Sequence, residues 1–377
     1  MLLRQVMTVV AALAVLIFTL KAAQMVWDGS RTFETDLWAY FSGAERLRNG
    51  EPLYPPDLDI VESRLQYAYP PLLAQVLYPI RSYTLAWWLW LAGSLVCWAV
   101  SLWLLLRELL KTAAGQQLRH SGLWWVFLAC LVNFPPLLAH LTWGQLQLPL
   151  LLLLTGAWLA LRAGRDLRAG VLIGLAITLK VYPVLLLVPL LVQRRLRCVV
   201  VALAVSGALL GLSFAAVGWE QTLFYLVRVL PEVSKQDVLA DNYAITQSLR
   251  VIGGPGFPAE ILGLVLRAAG LGLATLAAYR ARGQAERALA LGVTALLWVT
   301  PIIWAHYFVL VYLPLADALP RASRRDQALL ALAYFCIATA TLIFYVPDPI
   351  APLTQPIPVL GVALLLGVQC ASLIRNT

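Results

Sequence analysis

The chain has 377 residues, of which 61% are hydrophobic and 12% charged, with a mean hydropathy of +0.79 and a formal net charge of +9. A soluble globular domain carries about twice that charged fraction, so the composition excludes one and places the chain in a bilayer. The positive charge is dispersed through short segments beside apolar runs, which suits membrane topology and anionic headgroups and implies no nucleic-acid partner.

A helix rises about 1.5 Å per residue and the hydrocarbon core is about 30 Å thick, so a crossing takes roughly 20 apolar residues unless neighbours shield a shorter one. Apolar runs lie near 5–27, 83–106, 122–139, 146–162, 169–180, 184–193, 198–217, 259–279, 288–302, 306–319, 327–345 and 355–374. They predict an all-α polytopic membrane protein, one domain over 1–377, with about twelve transmembrane or membrane-embedded helices. The runs 169–180 and 184–193, joined by Val181, Tyr182 and Pro183, read as two half-buried helices or a broken hairpin, because proline interrupts the backbone ladder.

In this scheme the basic residues beside the spans, among them Arg4, Arg107, Lys111, Arg162, Arg195, Arg287, Arg325 and Arg375, fall on one side, against Glu108, Asp166, Glu286 and Asp326. The long loops 28–82 and 218–258 carry twelve acidic and eight basic residues and fall on the other. By the positive-inside rule the basic side is cytoplasmic. Both termini are then expected in the cytoplasm and both long loops outside it, in a bacterial inner membrane.

Within the first outer loop, Leu37, Tyr40, Phe41, Ala44 and Leu47 follow helical spacing while Ser42, Glu45, Arg46 and Arg48 take the other face, the pattern of an interfacial amphipathic helix that Gly50 and Pro52 stop. Asp36 opens that helix. Locally it, or Thr35, is explained as an N-cap for free backbone amides. Farther on, LLAQVLYPI reads as a short piece that re-enters or lines the membrane surface. The second outer loop carries DNYAITQSL from Asp241 to Leu249, whose neutral donors and acceptors suit sugar hydroxyls and loop solvation equally.

Other polar groups gather at the outer ends of spans. Gln145 and Gln147 follow a turn with His140 and Trp143, Lys180 stands beside Tyr182, and Trp304, His306 and Tyr307 begin the tenth span. Arg267 lies deeper in its span, where a permanent cation needs a partner. The five cysteines read as packing residues, and the three histidines are too scattered to suggest a metal. No cofactor or metal is expected. GLGLAT at 270–275, Gly170 with Gly174, and Gly207 with Gly211 read as small-residue helix packing.

Taken in order, TDLWAYFSGAERLRNGEPLY, YPPLLAQVLYP, GQLQLPLLLLL, LKVYPVLLLVPLLVQRR, NYAITQSL and WAHYFVLVYLPL resemble the GT-C membrane glycosyltransferases of family 87, which include mycobacterial polyprenol-phosphate-mannose-dependent mannosyltransferases. The resemblance implies a GT-C fold and an inverting transfer of a sugar, mannose foremost, from a polyprenyl-phosphate donor to a hydroxyl of a lipid or glycan on the extracytoplasmic side. Asp36 matches the family's catalytic aspartate and His306 a histidine of its active-site region, while Lys180, Gln145 and Gln247 match recurring polar positions. The chemistry agrees: a carboxylate can take the proton of an attacking hydroxyl, and a phosphate departs without a strong acid. Lys180, His306, Arg250 and Arg267 are then expected at the donor phosphate, and Tyr40, Gln145, Tyr182, Asn242, Gln247 and Tyr307 at the substrates. The rival reading is a multispan transporter or lipid flippase, which the broken helices would also suit.

Overall fold

The computed structural model of the protein describes residues 2–29, 35–56, 66–233, 241–344 and 351–375, and among these every regular element is helical. The principal helices are α1 (Leu2–Gly29), α2 (Asp36–Asn49), α3 (Tyr83–Leu110), α4 (Trp124–Val132), α5 (Pro135–Trp143), α6 (Gln147–Arg162), α7 (Asp166–Leu179) and α8 (Leu196–Val217). They continue with α9 (Ile245–Gly253), α10 (Ala259–Arg280), α11 (Ala285–Val299), α12 (Tyr312–Ala318), α13 (Arg324–Ala338) and α14 (Ile357–Arg375).

The helices make an all-α membrane protein, and the count of about twelve transmembrane or membrane-embedded helices is not confirmed. Among the described residues six helical stretches are long and apolar enough to cross a bilayer: Thr8–Met25, Tyr83–Leu110, Trp124–Trp143, Leu196–Val217, Ala259–Arg280 and Ile357–Arg375. The remaining apolar runs form shorter pieces. Helices α6, α7 and α11 have 16, 14 and 15 residues, and the run at 306–319 is a 3₁₀ segment, Ala305–Val311, that passes into α12. Protein shielding explains the difference. Every residue of α11 from Arg287 to Leu297 is buried, and a helix apolar on all sides belongs in a core, where neighbours rather than lipid surround it.

The chain breaks where Pro183 predicts. After α7 the backbone extends at Lys180 (φ −143°, ψ 135°), then turns through the 3₁₀ segment Tyr182–Leu186 into Leu187–Val192. The amphipathic helix is also present as α2, and its apolar face packs on protein. Leu37, Tyr40, Phe41 and Ala44 are buried in the main core, and Trp38 meets Tyr83 of α3 edge-on at 5.3 Å. Packing on protein withdraws that apolar face from water as completely as lipid would, and fixes its position as lipid could not.

Small residues set the close helix contacts. A Cβ on Gly170 or Gly174 of α7 would fall within 3 Å of α8, and one on Gly270 of α10 would strike the Trp298 ring of α11. The Gly207 and Gly211 pair does not pack in this way, since a Cβ at either would meet nothing within 4 Å. The five cysteines are all free thiols.

The two ends of the bundle differ in chemistry. At one end Glu108 pairs with Arg107, Lys111 and Arg162 at 3.3, 2.5 and 3.7 Å, Arg195 with Asp166 at 3.4 Å, Arg321 with Asp317 at 3.1 Å, and Arg375 with Asp326 at 2.7 Å. Helices α6, α7 and α11 run from this end to the other, where Gln147, Lys180 and Thr300 stand.

Gly144, closing α5, joins the opposite end together. It adopts φ +67°, and a Cβ there would lie 2.7 Å from Cβ of Leu37 in α2. Left-handed backbone and a steric clash act together in Gly144→Ala, so a loss of about 2–4 kcal/mol of stability is expected. A melting temperature equal to that of the parent protein would contradict it.

Candidate functional site

At the end away from the ion pairs lies a cavity of about 310 Å³. Its lining comes from seven places: Thr35 and Asp36 at the start of α2, the loop around Tyr69, Trp143 at the end of α5, the Lys180–Tyr182 break, the stretch with Tyr225, Leu230 and Val233, Asp241, and the segment from Thr300 to Tyr307.

Thr35, rather than Asp36, caps α2. The Thr35 hydroxyl accepts from the Trp38 amide at 3.2 Å, which is the N-cap bond of α2, and also bonds the Tyr83 hydroxyl at 2.7 Å. Capping is therefore done by Thr35. The Asp36 side chain belongs to the cavity wall instead. Its carboxylate is felt by its neighbours: desolvation pushes the Tyr69 phenol far above its usual range and the nearby Asp36 charge adds to the rise.

Lys180 is the cation of the cavity and is 5% exposed. Its Nζ donates to Gln145 Oε1 at 3.1 Å and stands 4.7 Å from the ring centre of Tyr307. Burial pushes its ammonium down to about 7, with the Asp36 carboxylate acting in the opposite direction. An ammonium carries three donors, and the Gln145 bond uses one. Tyr40 donates to the same Gln145 oxygen at 3.3 Å, and Trp90 Nε1 donates to the Gln145 carbonyl at 3.2 Å, so Gln145 holds Lys180 from behind.

Aromatic rings form the remaining wall. Tyr182 stacks on Tyr307 with centroids 5.4 Å apart, and His306 lies beside Tyr307 at 5.1 Å. His306 is 4% exposed, lines the cavity, and its Nε2 has no protein partner.

The residues expected at the site thus fall into four groups. Asp36, Lys180, Tyr182, His306 and Tyr307 line the cavity, and Tyr40 and Gln145 stand directly behind it. Asn242 is a structural latch. Its Oδ1 accepts from the amides of Ala244 (3.0 Å) and Ile303 (2.8 Å), and its Nδ2 donates to the Pro301 carbonyl at 3.0 Å, which pins the stretch before α9 to the His306 segment. Gln247, Arg250 and Arg267 are not among the lining residues. Arg250 is engaged by Gln247 at 3.1 Å and by Glu260, and Arg267 Nε turns to the Gly263 carbonyl of its own helix at 3.3 Å. Local partners draw both guanidiniums away.

Because Asn242→Ala would strand two buried amides, it is expected to lower stability by about 2–4 kcal/mol. A thermal melt matching the parent would show that the latch is dispensable.

Other members of the site were given no role from the sequence. Tyr69 and Trp304 line the cavity, and so does a second carboxylate, Asp241. Behind the wall, His140 and Gln147 are wholly buried, and none of their side-chain polar atoms has a protein partner. Such atoms cost about 1–3 kcal/mol each. Only their grouping at one turn of the sequence hinted at them. Among the described residues no group of three or more His, Cys, Asp or Glu side chains could hold a metal ion.

Comparison with known proteins adds an independent line. The sequence model described as glycosyltransferase family 87 matches residues 67–301. That stretch contains Gln145, Lys180, Tyr182 and Asn242, and leaves Asp36, His306 and Tyr307 outside it. A polyprenol-phosphate-mannose-dependent alpha-(1-2)-phosphatidylinositol pentamannoside mannosyltransferase of Mycobacterium tuberculosis is 28% identical over 293 residues, 73% of this chain and 63% of that protein. The enzyme of the same name from Mycolicibacterium smegmatis is 28% identical over 294 residues, 73% of this chain and 66% of that protein. A polyprenol-phosphate-mannose-dependent alpha-(1-2)-phosphatidylinositol mannoside mannosyltransferase of M. smegmatis is 28% identical over 321 residues, 77% of this chain and 72% of that protein. The match spans less than two thirds of the first two relatives' length. No solved structure matches.

Proposed function

We propose the following from one premise, that the chain belongs to glycosyltransferase family 87: it transfers a sugar, mannose foremost, from a polyprenyl-phosphate donor to a hydroxyl of a lipid or glycan acceptor. One observation carries the reading. A single cavity at one end of a membrane-embedded bundle is lined by a carboxylate, a buried ammonium and a wall of aromatic rings, contributed by Asp36, Lys180, Tyr182, Trp304 and Tyr307.

Each group has a task in such a transfer. The Asp36 carboxylate takes the proton of the acceptor hydroxyl as its oxygen bonds to the anomeric carbon. The bond from that carbon to the phosphate oxygen breaks with its electron pair, and Lys180, with His306, stabilises the charge growing on the phosphate. Aromatic faces suit the apolar side of a sugar ring and shield the reacting carbon from water. One base and no covalent intermediate give inversion, so a β-linked donor gives an α-linked product. Asn242 acts through position, by holding the His306 segment against the second outer loop.

The membrane is the bacterial inner membrane in this reading, with the cavity extracytoplasmic and both termini cytoplasmic. The basic ion-pair end, opposite the cavity, supports that orientation.

Purified protein supplied with polyprenyl-phosphate mannose and a lipid extract is expected to yield a mannosylated lipid whose new bond an α-mannosidase cleaves. A β-linked product would refute inversion. Movement of an unchanged substrate across proteoliposomes, without any new glycosidic bond, would favour the transporter reading instead.

A further inference from the structure

The cavity wall carries two carboxylates, and the transfer described above uses one. Asp241 lines the cavity together with Asp36 and Lys180, is half-buried, and lies in the stretch just before α9. The backbone beside it is held from several directions. Asn242 Oδ1 accepts from the Ile303 amide and its Nδ2 donates to the Pro301 carbonyl, the Tyr243 amide donates to the Ile303 carbonyl at 2.7 Å, and Gln355 Nε2 donates to the Asn242 carbonyl. These bonds set Asp241 alongside the 301–304 segment, whose Pro301, Ile302 and Trp304 line the same cavity. The second carboxylate is thus fixed in place, with an aromatic ring of the neighbouring segment on the same wall.

Asp241 stands at a different part of that wall from Asp36. The Asp36 charge acts on Lys180, Tyr69 and Tyr307, whereas the Asp241 charge acts on the Tyr243 phenol, which burial already pushes up, and not on Lys180. Like charges repel in a partly buried site, so a second carboxylate gains nothing beside the donor phosphate, which belongs with the ammonium. What remains for it is the other substrate. A carboxylate only accepts hydrogen bonds, through two oxygens, and its strongest neutral partners are groups that donate without bringing negative charge. Neighbouring hydroxyls on a sugar ring are such groups, and an apolar wall with a few placed polar atoms suits the rest of the ring.

We propose that Asp241 recognises the acceptor: its two oxygens accept hydrogen bonds from hydroxyls next to the one that is glycosylated, so the acceptor is a lipid or glycan ending in a sugar ring and not a simple alcohol. This rests on the glycosyl-transfer reading above and adds the acceptor's class and the residue that selects it. Asp241 binds and positions the ring, while Asp36 takes the proton.

The test compares the intact protein with Asp241→Asn, using polyprenyl-phosphate mannose as donor and octyl α-mannopyranoside, its monodeoxy analogues, or dodecanol as acceptor. In the variant, KM for octyl α-mannopyranoside is expected to rise about tenfold or more, the size of a lost hydrogen bond to a charged group, while KM for the donor stays within about threefold. For at least one deoxy position the analogue is expected to be about tenfold poorer than octyl α-mannopyranoside with the parent, and about threefold poorer or less with the variant, because that hydroxyl and the carboxylate form one coupled pair. A residue that only supported the wall would show no such position. The inference is overturned if every deoxy analogue loses the same factor with both proteins, if donor KM rises along with acceptor KM, or if the parent uses dodecanol as well as the mannoside. A fall in kcat of about a hundredfold with acceptor KM unchanged overturns it too, by making Asp241 a base. So does a parent that mannosylates extracted lipids but not the mannoside, whereas a parent that mannosylates nothing overturns the glycosyl-transfer reading itself.

Discussion

Asp36→Asn is expected to lower sugar transfer by about 10²–10⁴-fold while donor binding changes by no more than a few-fold, the size associated with loss of a positioned general base. The substitution preserves shape and one acceptor oxygen, replaces the other with an N–H donor, and removes the ability to accept a proton. Two features of the structure sharpen it. Thr35 provides the N-cap of α2, so Thr35→Ala should cost about 1 kcal/mol of stability and leave the chemical step comparatively intact, whereas Asp36→Asn should do the reverse. In addition, the Asp36 charge helps keep Lys180 protonated, so neutralising Asp36 at a pH above 7 would also weaken the cation. The comparison therefore belongs at the lowest pH at which the parent is active, where the loss of the Asp36 charge matters least to Lys180. Activity of the asparagine variant within tenfold of the parent at that pH would remove Asp36 from the role of base.

Lys180→Met is expected to raise KM for the donor by about 10–100-fold, since a hydrogen bond to a charged group contributes about 1.5–3 kcal/mol. The same residue predicts a pH dependence. Burial lowers its pKa from the ordinary lysine value to about 7 in the free protein, so the cation is present below pH 7 and is lost as pH rises through it. On this basis kcat/KM for the donor should fall above pH 7 with a limiting slope of about tenfold per unit. A bound phosphate raises the pKa by favouring the charged form, so kcat should decline only at higher pH. Lys180→Met should abolish the limb near 7 along with tight donor capture. A parent profile flat from pH 6 to 9, or a methionine variant that retains the limb, would assign the phosphate to another group.

Much of the site was legible before any fold was known, for reasons that differ by residue. Asp36, Lys180 and His306 are polar groups beside apolar runs, so their cost in a membrane protein announces them, and the order of the flanking motifs suggested the family. Arg250 and Arg267 met the same criterion, yet the structure turns them to Glu260 and to the Gly263 carbonyl. Sequence shows that a cation needs a partner but not which partner lies within reach. The sequence does not show that Asn242 also latches the backbone, because its contacts at Pro301 and Ile303 lie about sixty positions away in the chain. Asp241 joined the site only once the fold brought it to the 300–307 segment on one cavity wall.

By themselves, hydropathy and charge determined that the chain is helical, membrane-embedded and basic at one end, because burial of apolar area and the placement of arginines act through composition and local period alone. They could not determine how many helices cross. A 15-residue apolar helix satisfies its own backbone equally well facing lipid or facing protein, and only the neighbours of α11 decide between them. Tertiary packing also decided the fate of the amphipathic helix, whose apolar face the core claims through Leu37, Tyr40 and Phe41. That docking sets Asp36 and Lys180 on one cavity, a juxtaposition across more than a hundred residues that no local pattern encodes.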